Sequence, residues 1–231
     1  YNSVERDIIL VVPANGEPSL IVPRMEQEQL SKSVVVSNVL VYWEMDAKPG
    51  RGPVELLHET LKGATKVGVE PYAEVELVSM LGDLEWQIKS FVEDLRVIKS
   101  SAEIKFSKQV SHYWTKALNV MLQRATFGVS LGELMQAGGS VVDEIFLNNP
   151  KANHLNTRAI QFFQCAPASG QPHHFSFRAS ELLPHGPTII NCVGCVQWYN
   201  TEIERTILTG DCTAQHAELF DLVQSGQQLA L

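Results

Sequence analysis

The densest concentration of side chains able to do chemistry lies in three places: Pro172-His173-His174, then Asn191, then Glu202-Ile203-Glu204-Arg205-Thr206. The latter two sit in or beside segments of β-branched, strand-like composition, in which alternate side chains point to opposite faces of a sheet. Asn191, Val193 and Cys195 therefore share one face of the first segment, and Glu202, Glu204 and Thr206 share one face of the second. A histidine together with acidic groups projected from adjacent strands is the beginning of a metal site or a hydrolytic site. The same residues also admit a plainer assignment, with Glu204 and Arg205 as solvated edge residues and His173 capping a turn. That is the commoner fate of isolated polar side chains.

Other patterns carry less. Cys192 and Cys195 have the spacing of a zinc or redox pair, but residues three apart on a strand face opposite ways, and no second pair stands at ribbon spacing. They read as buried structural thiols. Gly128, Gly132 and Gly138-Gly139 form no phosphate loop, because no Lys-Ser/Thr pair follows them. Trp114 and Trp198 read as core residues.

Composition bounds the partners. Of 231 residues, 45% are hydrophobic and 19% charged, enough apolar surface to offset the entropy of ordering a folded chain. Lys and Arg number 18 against 26 Asp and Glu, a net charge of −8, and no stretch gathers the cations that tracking phosphates would need. Nucleic acid is not an expected partner. The longest apolar runs, such as 8–12 and 34–41, fall far short of a membrane span, and no membrane partner is expected. Four cysteines in a chain of this size make no disulfide framework, which points to a reducing, cytoplasmic setting. The chain opens on Tyr1 and closes inside an apparent helix at Leu231, so both ends read as cut.

These residues need elements to position them. Apolar runs at 8–12 and 19–22 around Asn15-Gly16 predict a hairpin. Strands follow at 34–42 and 66–69, a helix opens at Pro53, where a missing N–H costs little, and another covers about 72–81. This alternation is that of a small α/β domain over 1–94. Ser100 with Glu103 and Ser130 with Glu133 fit capping boxes, each introducing an amphipathic helix, the second running to about Phe146. Strands at 160–165, 188–193, 196–200 and 203–208 and a helix after Thr213 complete an α+β domain over 95–231.

The chain resembles the creatinase and Xaa-Pro aminopeptidase family, in which a "pita-bread" catalytic domain follows a smaller α/β domain. The hairpin Val12 to Pro23 is similar to that family's N-terminal domain, and Leu95 to Ile104 to its domain junction. The stretch from Ser169 through His173-His174 to Tyr199, Glu202 to Thr206 and Gly210 follows its first metal-ligand region. The resemblance implies a creatinase-type N-terminal domain, incomplete at its start, and the N-terminal half of a pita-bread domain. It also implies a divalent metal (Mn, Co or Zn), a homodimer, and a small peptide or other small C–N substrate.

Family enzymes begin a dinuclear site with a strand Asp and a second Asp eleven residues later, in Asp-x-x-Arg-Thr. The corresponding residues here are Asn191 and Glu202. Glu202 keeps a carboxylate on a longer arm, whereas a neutral amide is a poor bridge between divalent cations. His174 falls where the family has a substrate-contacting His, with His173 a close alternative, and Tyr199 and Arg205 match residues that support the strands and the site. The family's remaining ligands, a His and two Glu, lie beyond Leu231. The implied activity is hydrolysis of a C–N bond in a peptide-like or amidine-like substrate, with the metal site weakened or lost. Gly194, Cys195 and Tyr199 are similar to the branch containing creatinase and ectoine hydrolase, which implies a metal-free route using His174 as acid and base. The alternative is a non-catalytic binding module that keeps the fold without the metals.

Overall fold

The computed structural model describes residues 6–31, 34–45, 51–82, 84–184 and 186–231. The chain divides after Lys99 into two compact units, Tyr1–Lys99 and Ser100–Leu231.

In the first unit, β1 (Ile9–Val11) pairs antiparallel with β2 (Ser19–Pro23), which pairs parallel with β3 (Asn38–Tyr42). As the central strand β2 is buried throughout, and its alternation sorts two small cores. Leu20 and Val22 pack with Leu30, while Ile21 packs with Tyr42, Leu56, Leu57 and Leu81. Leu30 belongs to α1 (Gln27–Ser31), and Leu56 and Leu57 to α2 (Pro53–Thr60), which has its proline in the first turn as expected. A separate parallel pair joins β4 (Lys66–Val69) to β5 (Glu85–Ile88), with short helices α3 (Val75–Ser79) and α4 (Phe91–Arg96) after each. The strand expected over 34–42 begins only at Asn38, and the helix expected over 72–81 shrinks to α3. Residues 36–37 precede the parallel pairing to β2, and the turn at 71–73 holds Pro71 and Tyr72 outside the helix.

The second unit stacks two long helices on a three-stranded antiparallel sheet. Both capping boxes form: Ser100 and Glu103 open α5 (Ser101–Arg124), and Ser130 and Glu133 open α6 (Leu131–Asn148). The sheet runs β6 (Arg158–Gln164), β7 (Gly186–Val196), β8 (Tyr199–Thr209), with β7 central. Val110, Trp114 and Met121 of α5 and Leu134 and Ile145 of α6 meet Phe163, Ile190 and Cys192 of the sheet in one core. Gly138 permits this close approach, since a Cβ there would lie 2.9 Å from Met121 Sδ and 3.1 Å from Gln161 Cγ. The closing helix α7 (Ala214–Ala230) buries none of its residues.

Two expectations are corrected. Residues 186–209 are one long hairpin rather than three short strands, because Gln197 and Trp198 take φ of 49° and 68° and form a two-residue turn matching the twist of the flanking strands. Trp198 consequently sits in that turn rather than in the core, with the Arg158 guanidinium 5.7 Å from its ring centre. Loop residues brace the turn from beneath: Trp198 N–H donates to the Asn156 carbonyl at 3.0 Å, and Gln197 N–H to Thr157 Oγ1 at 3.2 Å.

Candidate functional site

The two-residue turn fixes the register of the hairpin and with it the site. Asn191 stands opposite Glu204 on β8 and opposite Phe162 on β6, so the three side chains form a row across the sheet on the face away from α5 and α6. Glu202 shares that face two residues along. Asn191 is 1% exposed, whereas Glu202 and Glu204 are exposed.

The Asn191 amide ties the two carboxylates together. Its Nδ2 donates to Glu204 Oε2 at 2.9 Å and also to Glu202 Oε1. Only the donor end of an amide suits that position, because an amide oxygen would face two carboxylate oxygens. The other end, Oδ1, is buried without a hydrogen-bond partner. A divalent cation needs oxygen or nitrogen lone pairs directed at one point. Here an amide nitrogen occupies the gap between the carboxylates, with its hydrogens engaged, and no group of three or more His, Cys, Asp or Glu converges among the described residues. These residues do not fit a dinuclear metal.

On the β6 side the row continues into a loop. Phe162 meets Phe175 edge to face at 4.6 Å, and the His173 ring lies 6.1 Å from Phe175. Ser176 pins the loop to the end of β6, its N–H donating to the Phe163 carbonyl at 2.9 Å and its Oγ accepting from Cys165 N–H at 3.1 Å. His173 adopts a φ of 55° and is exposed; the next residue, His174, is half-buried and donates its N–H to the Gln171 carbonyl. Of the two histidines, His173 has the ring contact leading toward Phe162.

Tyr199 and Arg205 belong to the opposite strand parity from Glu202 and Glu204. Tyr199 packs edge to face on Phe106 of α5 at 5.1 Å and donates its hydroxyl to Glu103 Oε1 at 3.1 Å. Arg205 is exposed and donates from Nη1 to the Glu204 carbonyl. The structure therefore brings together Asn191, Glu202 and Glu204, and leaves Tyr199 and Arg205 behind the strand. Cys192 and Cys195 are free, buried and turned apart: Cys192 Sγ accepts from Gln161 in the core, while Cys195 Sγ donates to the Asn156 carbonyl. The sequence pattern groups Glu204 with Glu202 on one strand face but does not pair it with Asn191, and it leaves Phe162 out of the site. The signal for that pairing is the turn, since a two-residue loop at 197–198 sets 191 opposite 204.

No family model matches the chain. It is 23% identical over 201 residues to an Xaa-Pro dipeptidase of Pyrococcus horikoshii, covering 82% of this chain and 55% of that protein. An Xaa-Pro dipeptidase of Pyrococcus furiosus is 22% identical over 227 residues, 96% of this chain and 60% of its own length. Among solved structures, an Xaa-Pro dipeptidase from Bacillus anthracis superposes with a TM-score of 0.76 at 18% identity, over 98% of this chain and 61% of that one. The X-Pro aminopeptidase of Thermotoga maritima gives 0.68 at 16% identity, over 96% and 60%. The mixed α/β structure matches the pita-bread prolidase fold over most of the chain. The chain is a divergent relative of the Xaa-Pro dipeptidase and aminopeptidase P group, and it spans 55–62% of the length of the curated relatives it matches.

Proposed function

We propose that the protein hydrolyses a C–N bond in a small peptide-like or amidine-like substrate, without the dinuclear metal chemistry of its resembled family. The observation that carries this reading is the row Phe162–Asn191–Glu204 with Glu202 beside it, in which Asn191 and Glu202, the two residues the resemblance matches to metal-ligand positions, share one face of the sheet bordered by the histidine loop. In this route water adds to the carbonyl or amidine carbon. His174, with His173 as the alternative, takes the proton from the attacking water and returns it to the leaving nitrogen as the C–N bond breaks. Glu202 and Glu204 orient a cationic or N–H-bearing end of the substrate. Tyr199 and Arg205 act as positioning residues, holding β8 from behind. A homodimer in a cytoplasmic setting completes the reading, supported by the resemblance and by four free cysteines.

A second reading, a non-catalytic binding module, is favoured by one feature: the Asn191 amide fills the place between the carboxylates that a catalytic metal would take. The full-length protein, assayed against Xaa-Pro dipeptides, small amides and amidines, separates the two. Turnover that falls at least a hundredfold in His174→Ala or His173→Ala supports the hydrolase. Absence of turnover on every substrate, together with tight binding to a protein partner, supports the module.

A further inference from the structure

We infer that the Asn191 amide is a built-in surrogate for a cation: one neutral nitrogen with two hydrogens links Glu202 and Glu204, so that this strand pair needs no metal and resists taking one. The inference rests on the proposed function only in treating this sheet face as the site, and it holds whether or not the protein hydrolyses anything. Two carboxylates two residues apart on one strand face repel each other, and convergence on a single point requires positive potential there. Asn191 supplies it from the buried side, with Nδ2 donating to Glu204 Oε2 at 2.9 Å and to Glu202 Oε1.

Three features make the arrangement specific. The amide is held rigidly, on a central strand and 1% exposed, so its reach across to β8 is set by the ladder and not by a flexible arm. Its orientation follows from the charges, since Oδ1 turned toward the carboxylates would place three oxygens together. The cost accepted for that orientation is a buried Oδ1 without a partner, which is kept only because the donor end is doubly engaged. A divalent ion entering between Glu202 and Glu204 would break both hydrogen bonds and gain nothing from the nitrogen, whose lone pair is delocalised into the amide. Substituting Asn191→Asp reverses each point: the donor is lost, three carboxylates meet, and a metal becomes the means of holding them.

The test is Mn²⁺ binding by the full-length protein, followed by the electron paramagnetic resonance of free Mn²⁺, with melting temperature as a second readout. Any Mn²⁺ affinity of the natural sequence is expected to stay within twofold on Glu202→Gln or Glu204→Gln, and the melting temperature to be the same in Mn²⁺ and in EDTA. Asn191→Asp is expected to melt several degrees lower in EDTA, to recover in Mn²⁺, and to gain a site at least tenfold tighter that Glu202→Gln abolishes. A tenfold weakening of the natural protein's Mn²⁺ binding by Glu202→Gln or Glu204→Gln would overturn the inference, as would Asn191→Asp with unchanged stability and no gained site. Should Asn191→Asp not fold, the comparison of the natural sequence with the two Glu→Gln variants decides alone. Loss of catalytic turnover moves none of these readings, so the surrogate and the proposed activity fail separately.

Discussion

The Tyr199 hydroxyl donates to Glu103 Oε1 at 3.1 Å, joining the first residue of β8 to the first turn of α5 across 96 positions of sequence. The other oxygen of the same carboxylate, Oε2, accepts from Ser100 N–H at 2.7 Å and Ser100 Oγ at 2.8 Å, so one side chain both caps a helix and anchors a strand. With its ring seated on Phe106, Tyr199 is placed to hold β8 on the helix layer. Tyr199→Phe keeps the ring contact and removes the hydroxyl, and is expected to cost about 1 kcal/mol of stability, the usual net contribution of one hydrogen bond, because exposure of the carboxylate to water offsets the gain from its charge. Denaturant melts of Tyr199→Phe, Glu103→Gln and the double variant would measure the coupling. A large fall in kcat with unchanged stability would instead place the hydroxyl at the reacting atoms.

Gly194 is required by a backbone and not by a turn. A Cβ at this position would stand 2.3 Å from the Arg158 carbonyl oxygen and 2.7 Å from Ala159 Cα, both on the paired strand β6. Main chain cannot swing aside as a side-chain tip can, so Gly194→Ala should cost on the order of 2–3 kcal/mol, the upper part of the range for overpacking. Gly139→Ala is the matched control. Its Cβ would meet nothing closer than Gln161 Oε1 at 3.6 Å, and it lies inside α6, where alanine is preferred over glycine by about 1 kcal/mol. Chemical denaturation should move the two midpoints in opposite directions.

Helices were more legible than the site because their signals are local. Ser100 with Glu103 and Ser130 with Glu133 announce both long helices within four residues, and the apolar spacing from Val110 to Met121 identifies the buried stripe around Trp114. The row of site residues depends instead on a turn that sequence disguises. Gln197 and Trp198 occupy left-handed conformations that Asn-Gly would advertise, and they are held there by Asn156 and Thr157 of the preceding loop and by Arg158 at the start of β6. Without that turn the strand parity of Glu202 and Glu204 is readable, but their partner on β7 is not. Asn191 itself was legible as a departure from a metal ligand, whereas its pairing with Glu204 exists only in the register.

The four thiols should separate cleanly by reactivity. Burial pushes the Cys192 thiol up to about 11, only partly offset by the hydrogen bond from Gln161. Thiolate is the reactive form, so Cys192 should be inert to a disulfide reagent at pH 8 while the protein is folded. Cys195 is also buried, Cys165 is half-buried and Cys212 is exposed. The expected time course has one fast equivalent from Cys212, a slower one from Cys165, and two that appear only at the rate of unfolding. Mass-mapped labelling in native buffer and in denaturant checks the order. Rapid native labelling of Cys192 would mean that the α5–α6–sheet core opens far more often than its packing implies.

The start of α6 should carry a measurable dependence on acid. Glu133 N–H donates to Ser130 Oγ at 3.2 Å, and Glu133 Oε2 accepts from Ser130 Oγ at 2.6 Å and from Ser130 N–H at 3.1 Å. The Ser130 side-chain hydrogen bond, followed by the backbone one, holds the Glu133 carboxyl below the usual carboxylate range. A depressed value means that the folded state favours the ionised form more than the unfolded state does. The resulting stability is fully present above the unfolded value, about 4.3, and is lost as pH falls through the lower folded value. Glu133→Gln removes the charge but keeps an acceptor, so its melting temperature should trail the natural sequence by a constant amount from neutral pH down to about pH 5 and converge with it in more acidic buffer. Ser130→Ala should lose about 1 kcal/mol at neutral pH, the usual cost of an N-cap. Loop carbonyls of Ser180 and Arg178 accept from the Leu131 and Gly132 amides at 2.8 Å each, so the helix start keeps two of its partners in either variant and the loss should be graded, not all-or-none. Melting curves between pH 3 and pH 7 would show a gap that stays constant down to pH 3 if the carboxyl were not held in its charged form by Ser130.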